Sequence, residues 1–452
     1  MFSTNIFKAY DIRGVYKQDF EAKDAIKIGQ AFAEFLRTNK RKPLTVIVGR
    51  DNRLSSPALT KAIKEGIKLQ GVNIIDIGLS TTPMFYFGVN FLKADGGIMV
   101  TASHNPPEYN GFKMVREEAI PISEDSGIKE IKKMVLGGKF TKRKPGTEIK
   151  KNITNAYIKF NLDFLDQSKI APLKIAVDTA NASSGVLIPK IAEKIKKTKF
   201  YHLFSELDGR FPNHNPDPLT KENLIHLQKE VLKKKADLGV AFDGDGDRTV
   251  FVDEKGKAIS GDLITALIAK IILREKPGEK ILYDVRSSKT VGEVIKENNG
   301  KPVFCRVGHS FIKEKMRQED IIFGGELSGH YYLRENHFCE TPFFVLFKIM
   351  EEISQEKKPF SKIIKPLQRY AYSGEINFEV KDKDKTMKLI EKHFKGKKCK
   401  VSHLDGTKMD FGDWWFLVRP SNTEPLLRLI VETKDKKTMK EKIKKIEGII
   451  KK

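Results

Sequence analysis

The 452-residue sequence is poor in cysteine, and it lacks both a long uninterrupted apolar run and any low-complexity tract. Its three cysteines, Cys305, Cys339 and Cys399, are far apart and odd in number, which argues against a disulfide framework and against a CxxC metal site. The most apolar stretch, residues 263–273, is interrupted by Lys270. We therefore expect no membrane span and no signal peptide, and a reducing cytoplasmic location fits the sequence.

Acidic residues are also scarce relative to basic ones, with 59 Asp and Glu against 83 Lys and Arg and a net charge of +24. Such a surplus would attract nucleic acid, and it would equally suit an anionic substrate. Most of the surplus is lysine dispersed through helix-like stretches such as residues 434–452, whereas specific nucleic-acid sites usually interleave arginine and aromatic residues. We interpret it as a solvated surface and predict no specific nucleic-acid partner, with a nucleic-acid-binding protein as an alternative.

The length and the hydrophobic rhythm predict several compact domains. Residues 44–77 alternate strand-like, helix-like and strand-like segments, and this rhythm restarts near residues 174 and 280. From about residue 370 strand-like segments prevail, and a helix with apolar residues three or four apart closes the chain. We predict three α/β domains and a smaller α+β domain, with bounds at residues 1–150, 151–255, 256–368 and 369–452.

The segment TASHNP, residues 101–106, follows a strand-like stretch and contains Ser103. A serine between a strand end and a proline-containing turn is expected to be presented instead of buried. The small and helix-capping residues around it would leave backbone N–H groups free to face an anion, as a phosphoserine requires. An ordinary turn capped by serine or asparagine explains the segment equally well on local grounds.

The segment DGDGDR, residues 243–248, lies between two strand-like stretches and places Asp243, Asp245 and Asp247 at spacing two. Hard carboxylate oxygens suit Mg²⁺ or Ca²⁺, whereas Zn²⁺ would recruit His or Cys. A calcium EF-hand would need flanking helices and a glycine in place of Arg248. Because three close carboxylates repel one another without a cation, we predict a Mg²⁺ site in preference to a metal-free turn.

Two further segments combine polar groups on short loops. GGELSGH, residues 324–330, follows a predicted strand at 320–323 and offers donors and acceptors for sugar hydroxyls. RPSNTEP, residues 419–425, offers a guanidinium and small hydroxyl residues as a phosphate cradle, to which Arg428 adds a second positive charge. On local grounds a loop with a capped helix start explains GGELSGH equally well, and a polar turn explains RPSNTEP. Arg428 is equally well explained as a surface strand residue.

These four segments in this order, together with KAYDIRG at 8–14, GRD at 49–51 and NPPEYNGFK at 105–113, resemble the α-D-phosphohexomutase superfamily, in its phosphomannomutase/phosphoglucomutase branch. The resemblance covers essentially the whole chain. It implies three similar α/β domains with mixed sheets and a C-terminal α+β domain of the TATA-box-binding-protein-like type, around a central cleft.

The resemblance also implies a set of site residues. Ser103 would be a phosphoserine and would hold Mg²⁺ together with Asp243, Asp245 and Asp247. Residues that would assist phosphoryl transfer, proton transfer or charge balance are Lys113, Arg13, Arg248 and His330. Residues that would contact the substrate are Tyr10, His309, Glu326, Ser328, His330, Arg419, Ser421, Asn422, Thr423 and Arg428.

The implied reaction is reversible phosphoryl transfer between O1 and O6 of mannose or glucose phosphate, through phospho-Ser103 and a hexose 1,6-bisphosphate intermediate. The implied partner is a small sugar phosphate, and the chain would act as a monomer or homodimer. Leu327 stands where this branch often has Met and phosphoglucosamine mutases have Gln, and residues 336–342 replace an acidic, glycine-rich stretch. Phosphoglucosamine mutase and a Mg²⁺-dependent phosphatase remain the alternative enzymes, and the residues that serve as acid and base stay unassigned.

Overall fold

The computed structural model describes residues 2–38, 43–420 and 426–451. The chain divides into two compact units. The first unit comprises Met1–Gly261, Gly308–Gly324 and Ser328–Ile363, and the second comprises Asp262–Val307, Gly325–Leu327 and Ile364–Lys452. No helix within the described ranges is long and apolar enough to cross a membrane.

The first unit begins with a six-stranded mixed sheet. Its strands are β1 (Ile12–Val15), β2 (Thr45–Arg50), β3 (Asn73–Leu79), β4 (Gly96–Val100), β5 (Tyr109–Arg116) and β6 (Glu148–Lys150). The order is β1-β5-β4-β2-β3-β6, in which β2 pairs in parallel with β3 and β4, and β5 pairs antiparallel with β1 and β4. The helices of this region are α1 (Ala22–Arg37), α2 (Ser56–Leu69), α3 (Thr82–Phe91) and α4 (Ile128–Gly137).

Helices α1 and α2 pack closely because two glycines meet at their contact. A Cβ atom on Gly66 would lie 2.0 Å from the carbonyl oxygen of Ile26, and one on Gly29 would lie 2.5 Å from that of Ile63. Neither position has room for a side chain. The apolar faces of both helices bury residues such as Phe32 in the core beneath the sheet.

The second sheet also belongs to the first unit and follows the same α/β pattern. Its strands are β7 (Leu173–Asp178), β8 (Thr198–Leu203), β9 (Leu238–Phe242), β10 (Thr249–Asp253) and β11 (Ala258–Ile259), in the order β11-β10-β9-β7-β8. The accompanying helices are α5 (Thr154–Leu162), α6 (Ile188–Ala192) and α7 (Ile225–Lys234). The turn between β9 and β10 is the predicted metal segment, so both flanking strands are confirmed.

The third α/β region is shared between the two units. Its helices are α8 (Gly261–Glu275), α9 (Lys289–Glu297), α10 (His309–Glu319), α11 (Pro342–Glu356) and α12 (Phe360–Ile364). Its strands are β12 (Lys280–Asp284), β13 (Lys301–Cys305), β14 (Phe323–Gly325), β15 (Tyr331–Leu333) and β16 (Cys339–Glu340). Strands β12 and β13 pair in parallel, and β15 and β16 pair antiparallel.

The predicted strand at residues 320–323 is wrong in its first three positions. Asp320 has a φ of 50° and ends α10 in the left-handed conformation, with its N–H donating to the carbonyl of Met316. Because this residue serves as the helix C-cap, the chain first turns, and β14 begins only at Phe323.

The C-terminal region of the second unit is an antiparallel sheet backed by two helices. Its strands are β17 (Ala371–Tyr372), β18 (Ile376–Glu379), β19 (Lys400–Ser402), β20 (Thr407–Asp410), β21 (Trp414–Pro420) and β22 (Leu426–Thr433). Helices α13 (Lys383–Phe394) and α14 (Lys436–Ile450) cover one face, where Phe394, Phe416 and Ile446 are buried. Three α/β regions followed by an α+β region confirm the predicted fold class.

Candidate active site

Ser103 lies in the loop that joins β4 to β5, and it is buried, with 3% of its surface exposed. The expectation that it would be presented at the surface is wrong, because the metal segment covers it. A Cβ atom on Gly244 would lie 2.3 Å from the Ser103 carbonyl oxygen. The Ser103 hydroxyl donates a hydrogen bond of 2.8 Å to Oδ2 of Asp243. The Ser103 N–H donates to Oγ1 of Thr101 at 2.9 Å. Contrary to the expectation, this amide is therefore not free to face an anion.

The serine loop is held from beneath by Arg53, which the sequence reasoning missed. The Arg53 side chain is fully buried, and its Nη2 donates to the carbonyl oxygens of Ser103 at 2.8 Å and Asn105 at 2.6 Å. Its Nη1 donates to the carbonyl of Pro106 at 2.6 Å, and Asp51 holds its Nε at 3.1 Å. The sequence signal that could have identified it is the position of Asp51 and Arg53 directly after β2. This strand pairs in parallel with β4, which the serine loop follows.

Asp243, Asp245 and Asp247 are buried, and each offers an oxygen within 4.8 Å of the others. Oδ1 of Asp243 accepts from the backbone N–H groups of Asp247 at 3.0 Å and Arg248 at 3.1 Å, which turns the loop back on itself. Oδ1 of Asp245 is buried and has no hydrogen-bond partner within the described part of the chain. A buried carboxylate oxygen without a donor beside two other carboxylates fits a hard cation, so these three residues can hold a metal ion.

Two side chains of the first sheet region bind the same carboxylates. Lys113, on β5, contacts Oδ2 of Asp245 at 2.8 Å and also contacts Asp247. Thr82, at the start of α3, donates to Oδ2 of Asp245 at 2.6 Å, and its N–H donates to the Asp245 carbonyl at 2.8 Å. The sequence reasoning identified Lys113 but missed Thr82, because nothing in the surrounding TTP sequence distinguishes it from an ordinary helix start.

The electrostatics of this cluster are unequal. Burial raises the pKa of Asp243, and the charges of Asp247 and Asp245 raise it further. Burial acts in the same direction on Asp247, but the charges of Lys113 and His330 outweigh it and hold the pKa of Asp247 well below its usual range. Burial would lower the pKa of Lys113, yet its two aspartate partners raise it. The Lys113 ammonium thus neutralises part of the cluster's charge.

His330 contacts two residues of the metal segment, Asp247 and Arg248. Its Nε2 lies 3.2 Å from Oδ1 of Asp247 and 3.3 Å from Nε of Arg248, while its Nδ1 lies 3.2 Å from the Ser328 hydroxyl. A neutral Nε2 can accept from Arg248, and a protonated one can donate to Asp247, but it cannot do both at once. Proton position therefore decides which of these two neighbours His330 binds.

The predicted residues Arg13, Tyr10 and His309 also lie in the first unit. Arg13 donates to the Asn105 side-chain oxygen at 2.6 Å and pairs with Asp11. The rings of Tyr10 and His309 meet edge to face with centroids 5.5 Å apart. Part of His309 stays exposed, but its Nδ1 is buried. Desolvation, followed by the charges of Lys313 and Lys113, lowers the pKa of His309 well below its usual range.

Glu326 belongs to the second unit, where Arg286 lies 3.7 Å from it. Arg286 itself is buried and bound to Asp284 through Nε and Nη2. The backbone N–H of Leu327 donates to Oδ2 of Asp284 at 2.9 Å, so this carboxylate anchors both Arg286 and the loop that carries Glu326. Neither Arg286 nor Asp284 was identified from the sequence, since a DVRSS segment after a strand has no distinctive local chemistry.

Arg419 and Arg428 stand directly opposite each other on β21 and β22. Like charges paired across antiparallel strands destabilise a sheet, so an anion at this position would reduce the repulsion between the two arginines. Arg419 is 3.5 Å from Glu375, a carboxylate that also lies 4.0 Å from Arg286. The other predicted phosphate-binding residues, Ser421, Asn422 and Thr423, lie outside the described residues.

Four family models match consecutive parts of the chain. They are the phosphoglucomutase/phosphomannomutase alpha/beta/alpha domains I, II and III, at residues 4–142, 151–256 and 260–370, and the C-terminal domain of the same family, at residues 375–448.

Individual proteins match over nearly their full length. A protein of Methanocaldococcus jannaschii named phosphomannomutase is 41% identical, with 98% of this chain and 97% of the relative covered. One of Xanthomonas campestris named phosphohexose mutases is 40% identical, with 95% of each covered. A crystal structure of a phosphoglucomutase/phosphomannomutase family protein from Burkholderia thailandensis superimposes with a TM-score of 0.90 at 31% identity, covering 100% of this chain and 98% of that one.

The fold and the site define a multidomain enzyme with a buried serine held on a carboxylate cluster. The chain belongs to the phosphoglucomutase/phosphomannomutase family. The predicted family membership is thereby confirmed.

Proposed function

We propose that this enzyme interconverts the 1-phosphate and 6-phosphate of a hexose, mannose or glucose, with Ser103 as the residue that carries the phosphoryl group. The observation that carries the proposal is the 2.8 Å hydrogen bond from the Ser103 hydroxyl to Asp243, because it joins a buried hydroxyl directly to the carboxylate cluster. The names of the relatives support a hexose phosphate as the substrate.

In the proposed reaction, the bond between Oγ of Ser103 and phosphorus breaks while a bond forms from phosphorus to O6 or O1 of the sugar. The sugar hydroxyl loses its proton as this bond forms, and Oγ of Ser103 gains a proton as it leaves the phosphorus. The resulting hexose 1,6-bisphosphate turns over and returns its other phosphoryl group to Ser103. Lys113, Arg13, Arg248 and His330 assist proton transfer or balance the charge on the transferred group.

Asp243, Asp245 and Asp247, with an oxygen of phospho-Ser103, would hold the metal ion, which we propose to be Mg²⁺. The hard oxygen donors and the partnerless Oδ1 of Asp245 support this choice. When bound, Mg²⁺ neutralises charge that develops on the phosphoryl oxygens. The chain's own contribution is to keep the three carboxylates in place through the backbone of residues 247–248, Thr82 and Lys113.

Substrate recognition is assigned to a further set of side chains. Arg419 and Arg428, opposed across their strands, would bind the phosphate that does not react. Glu326 and Ser328 would accept or donate hydrogen bonds to sugar hydroxyls. The further substrate contacts that we propose are Tyr10, His309, His330, Ser421, Asn422 and Thr423.

Several broader expectations belong to this proposal. The domain bounds at residues 150, 255 and 368, a monomeric or homodimeric state and a cytoplasmic location remain predictions. The +24 charge is proposed to be a solvated lysine surface without a specific nucleic-acid partner. Duplex DNA binding with a steep salt dependence would contradict this last point.

A coupled mutase assay tests the function. Purified protein with Mg²⁺ and a trace of hexose 1,6-bisphosphate would receive mannose 1-phosphate, glucose 1-phosphate and glucosamine 1-phosphate in parallel. Conversion of mannose or glucose phosphate is expected. Turnover of the glucosamine sugar alone would indicate a phosphoglucosamine mutase, and steady release of inorganic phosphate would indicate a phosphatase.

A further inference from the structure

A buried ion pair lies outside the reaction described above. Lys313, on α10, and Glu340, on β16, approach to 2.6 Å, and their side chains are 0% and 1% exposed. The Lys313 ammonium also lies 3.8 Å from the ring centroid of Tyr86 and 5.9 Å from that of Tyr332. Taking both charges out of water is costly, and one contact between them repays that cost only in part.

The pair is held by charge and not by hydrogen bonds. The Lys313 ammonium and Oε2 of Glu340 meet at a distance typical of an ion pair, but at angles outside those of a hydrogen bond, and neither atom has a hydrogen-bond partner among the described residues. The face of Tyr86 supplies the remaining attraction. Replacing such a pair by apolar side chains of similar volume is often neutral or stabilising. Stability is therefore a poor explanation for these two charges.

Two helices that meet at Lys313 each begin with a residue of the proposed active site. Lys313 lies one helical turn beyond His309, the first residue of α10. Tyr86 lies one turn beyond Thr82, the first residue of α3, and Thr82 binds Asp245. Side chains four residues apart share one face of a helix. The contact of Lys313 with Tyr86 thus joins the faces that extend from His309 and Thr82.

The strand pair β15–β16, which carries Tyr332 and Glu340, lies beside His330. Glu340 stands opposite Tyr332 in the β15–β16 register. Tyr332 lies two residues beyond His330, and side chains two residues apart point to the same face of a strand. The rings of His330 and Tyr332 are accordingly stacked, with centroids 6.3 Å apart.

We propose that Lys313 is a positioning residue whose pairing with Glu340 fixes α10, α3 and β15 relative to one another and so places His309 for substrate contact and His330 for phosphoryl transfer. This inference rests on the proposed function. It assigns to the buried charges a role other than stability, which explains them poorly.

The test uses the full chain carrying Lys313→Met and Glu340→Leu together, so that no unpaired charge stays buried. We expect a thermal unfolding midpoint close to that of the wild type. We also expect kcat for hexose phosphate to fall roughly ten- to hundredfold, because small misplacements of catalytic groups cost this much. A stable double variant with wild-type kcat would overturn the proposal.

A second readout does not depend on turnover. The histidine ring resonances of this nine-histidine chain would be compared at one fixed pH with Mg²⁺ present. Shifts of both the His309 and His330 signals in the double variant are expected, and unshifted signals would overturn the positioning role. A wild-type chain that converts no hexose phosphate would refute the proposed function, and the resonances would then decide the inference alone.

The matched control is Lys348→Met, which breaks a largely buried pair with Glu351 at 2.8 Å on α11, a helix without predicted site residues. It should cost stability and leave kcat and both histidine signals unchanged; equal effects in this control would also overturn the proposal. If the double variant does not fold, Glu340→Asp keeps both charges and shortens the acid. A smaller kcat loss is then expected, and wild-type kcat with unshifted signals would refute the role of the pair.

Discussion

The Ser103 hydroxyl and the Lys113 ammonium contact carboxylates at short hydrogen-bond distance, whereas the Arg286–Glu326 and Arg419–Glu375 contacts are longer. In the first unit Ser103 lies 2.8 Å from Asp243, and the Lys113 ammonium lies 2.8 Å from Asp245. In the second unit Glu326 is 3.7 Å from its arginine, and Arg419 is 3.5 Å from its carboxylate. The proposed chemistry is therefore held in a closely bonded cluster, whereas the Arg286–Glu326 and Arg419–Glu375 contacts are longer.

This difference separates two demands on an active site. Group transfer requires reacting atoms to be fixed to within a fraction of an ångström, which closely spaced buried partners supply. Ligand binding requires donors that can exchange one partner for another, and contacts of 3.5 and 3.7 Å lie beyond the usual hydrogen-bond range. We expect substitutions in the cluster around Ser103 to lower kcat, and substitutions of the recognition groups Glu326 and Arg419 to raise KM.

The largest expected effect follows from Ser103→Ala. The variant removes the only atom proposed to carry the phosphoryl group, so kcat should fall on the order of 10⁴-fold or more, as for other covalent nucleophiles. Binding of hexose 6-phosphate, measured by calorimetry, should survive. A variant that retains turnover, or that loses binding alone, would contradict the assignment of Ser103 to the chemistry.

Asp245→Asn should have the next largest effect, because it weakens a proposed metal ligand. We expect kcat to fall at least about 100-fold, beyond the usual effect of losing an outer partner of a metal site. The rise in unfolding temperature on adding Mg²⁺ should also shrink. Asp208→Asn, at an exposed pair with Arg210, is the control and should leave both quantities unchanged. An undiminished Mg²⁺ response in Asp245→Asn would contradict the assignment.

Arg419→Met tests the recognition side of the comparison. Loss of one charge-assisted contact with phosphate is worth about 1.5–3 kcal/mol, which corresponds to roughly ten- to hundredfold in KM. Steady-state kinetics should show this increase with kcat little changed. Lys388→Met, on the exposed face of α13, removes the same charge and should change neither constant. A fall in kcat without a rise in KM would place Arg419 with the chemistry instead.

The smallest expected effect concerns Lys408, whose ammonium lies 3.8 Å from the Trp415 ring and donates to the Val285 carbonyl at 2.9 Å. Burial lowers its pKa to about 8, against the attraction of Glu432 and Asp410. Between about pH 8 and the ordinary lysine pKa of 10.5, the unfolded chain binds more protons at this site than the folded chain.

The contribution of Lys408 to the free energy of unfolding should therefore rise with pH across this interval. Denaturant unfolding at several pH values would measure it, and Lys408→Met should abolish this part of the slope. An identical pH dependence in the variant would show that burial does not perturb this lysine. The effect concerns stability in the second unit, and kcat at neutral pH should stay near that of the wild type.

The sequence predicted the parts of the site whose chemistry is local. Asp243, Asp245 and Asp247 fall in one short turn between two strands, so their spacing alone indicated convergence on a cation. The burial of Ser103 could not be predicted, because the residue that covers it, Gly244, is remote in sequence. Arg53 was missed for the same reason, since its role lies in carbonyl groups about 50 residues away.

Element boundaries show a similar limit. The α/β rhythm gave the order of strands and helices, but the strand expected at 320–323 began late because Asp320 caps the preceding helix. A left-handed cap at a non-glycine residue leaves little trace in a hydrophobic pattern. Thr82 and Arg286 likewise become informative only when folding places them beside Asp245 and Asp284.

The most direct test of the account is to follow the phosphoryl group itself. Wild-type protein would be exposed to hexose 1,6-bisphosphate labelled in both phosphates and separated from the sugar. One portion would be digested and examined by mass spectrometry, and a second, intact portion would be chased with unlabelled hexose phosphate. The account predicts one labelled phosphoryl group on Ser103 that passes into the sugar during the chase. Label on another residue, or an enzyme that turns over without labelling Ser103, would contradict it.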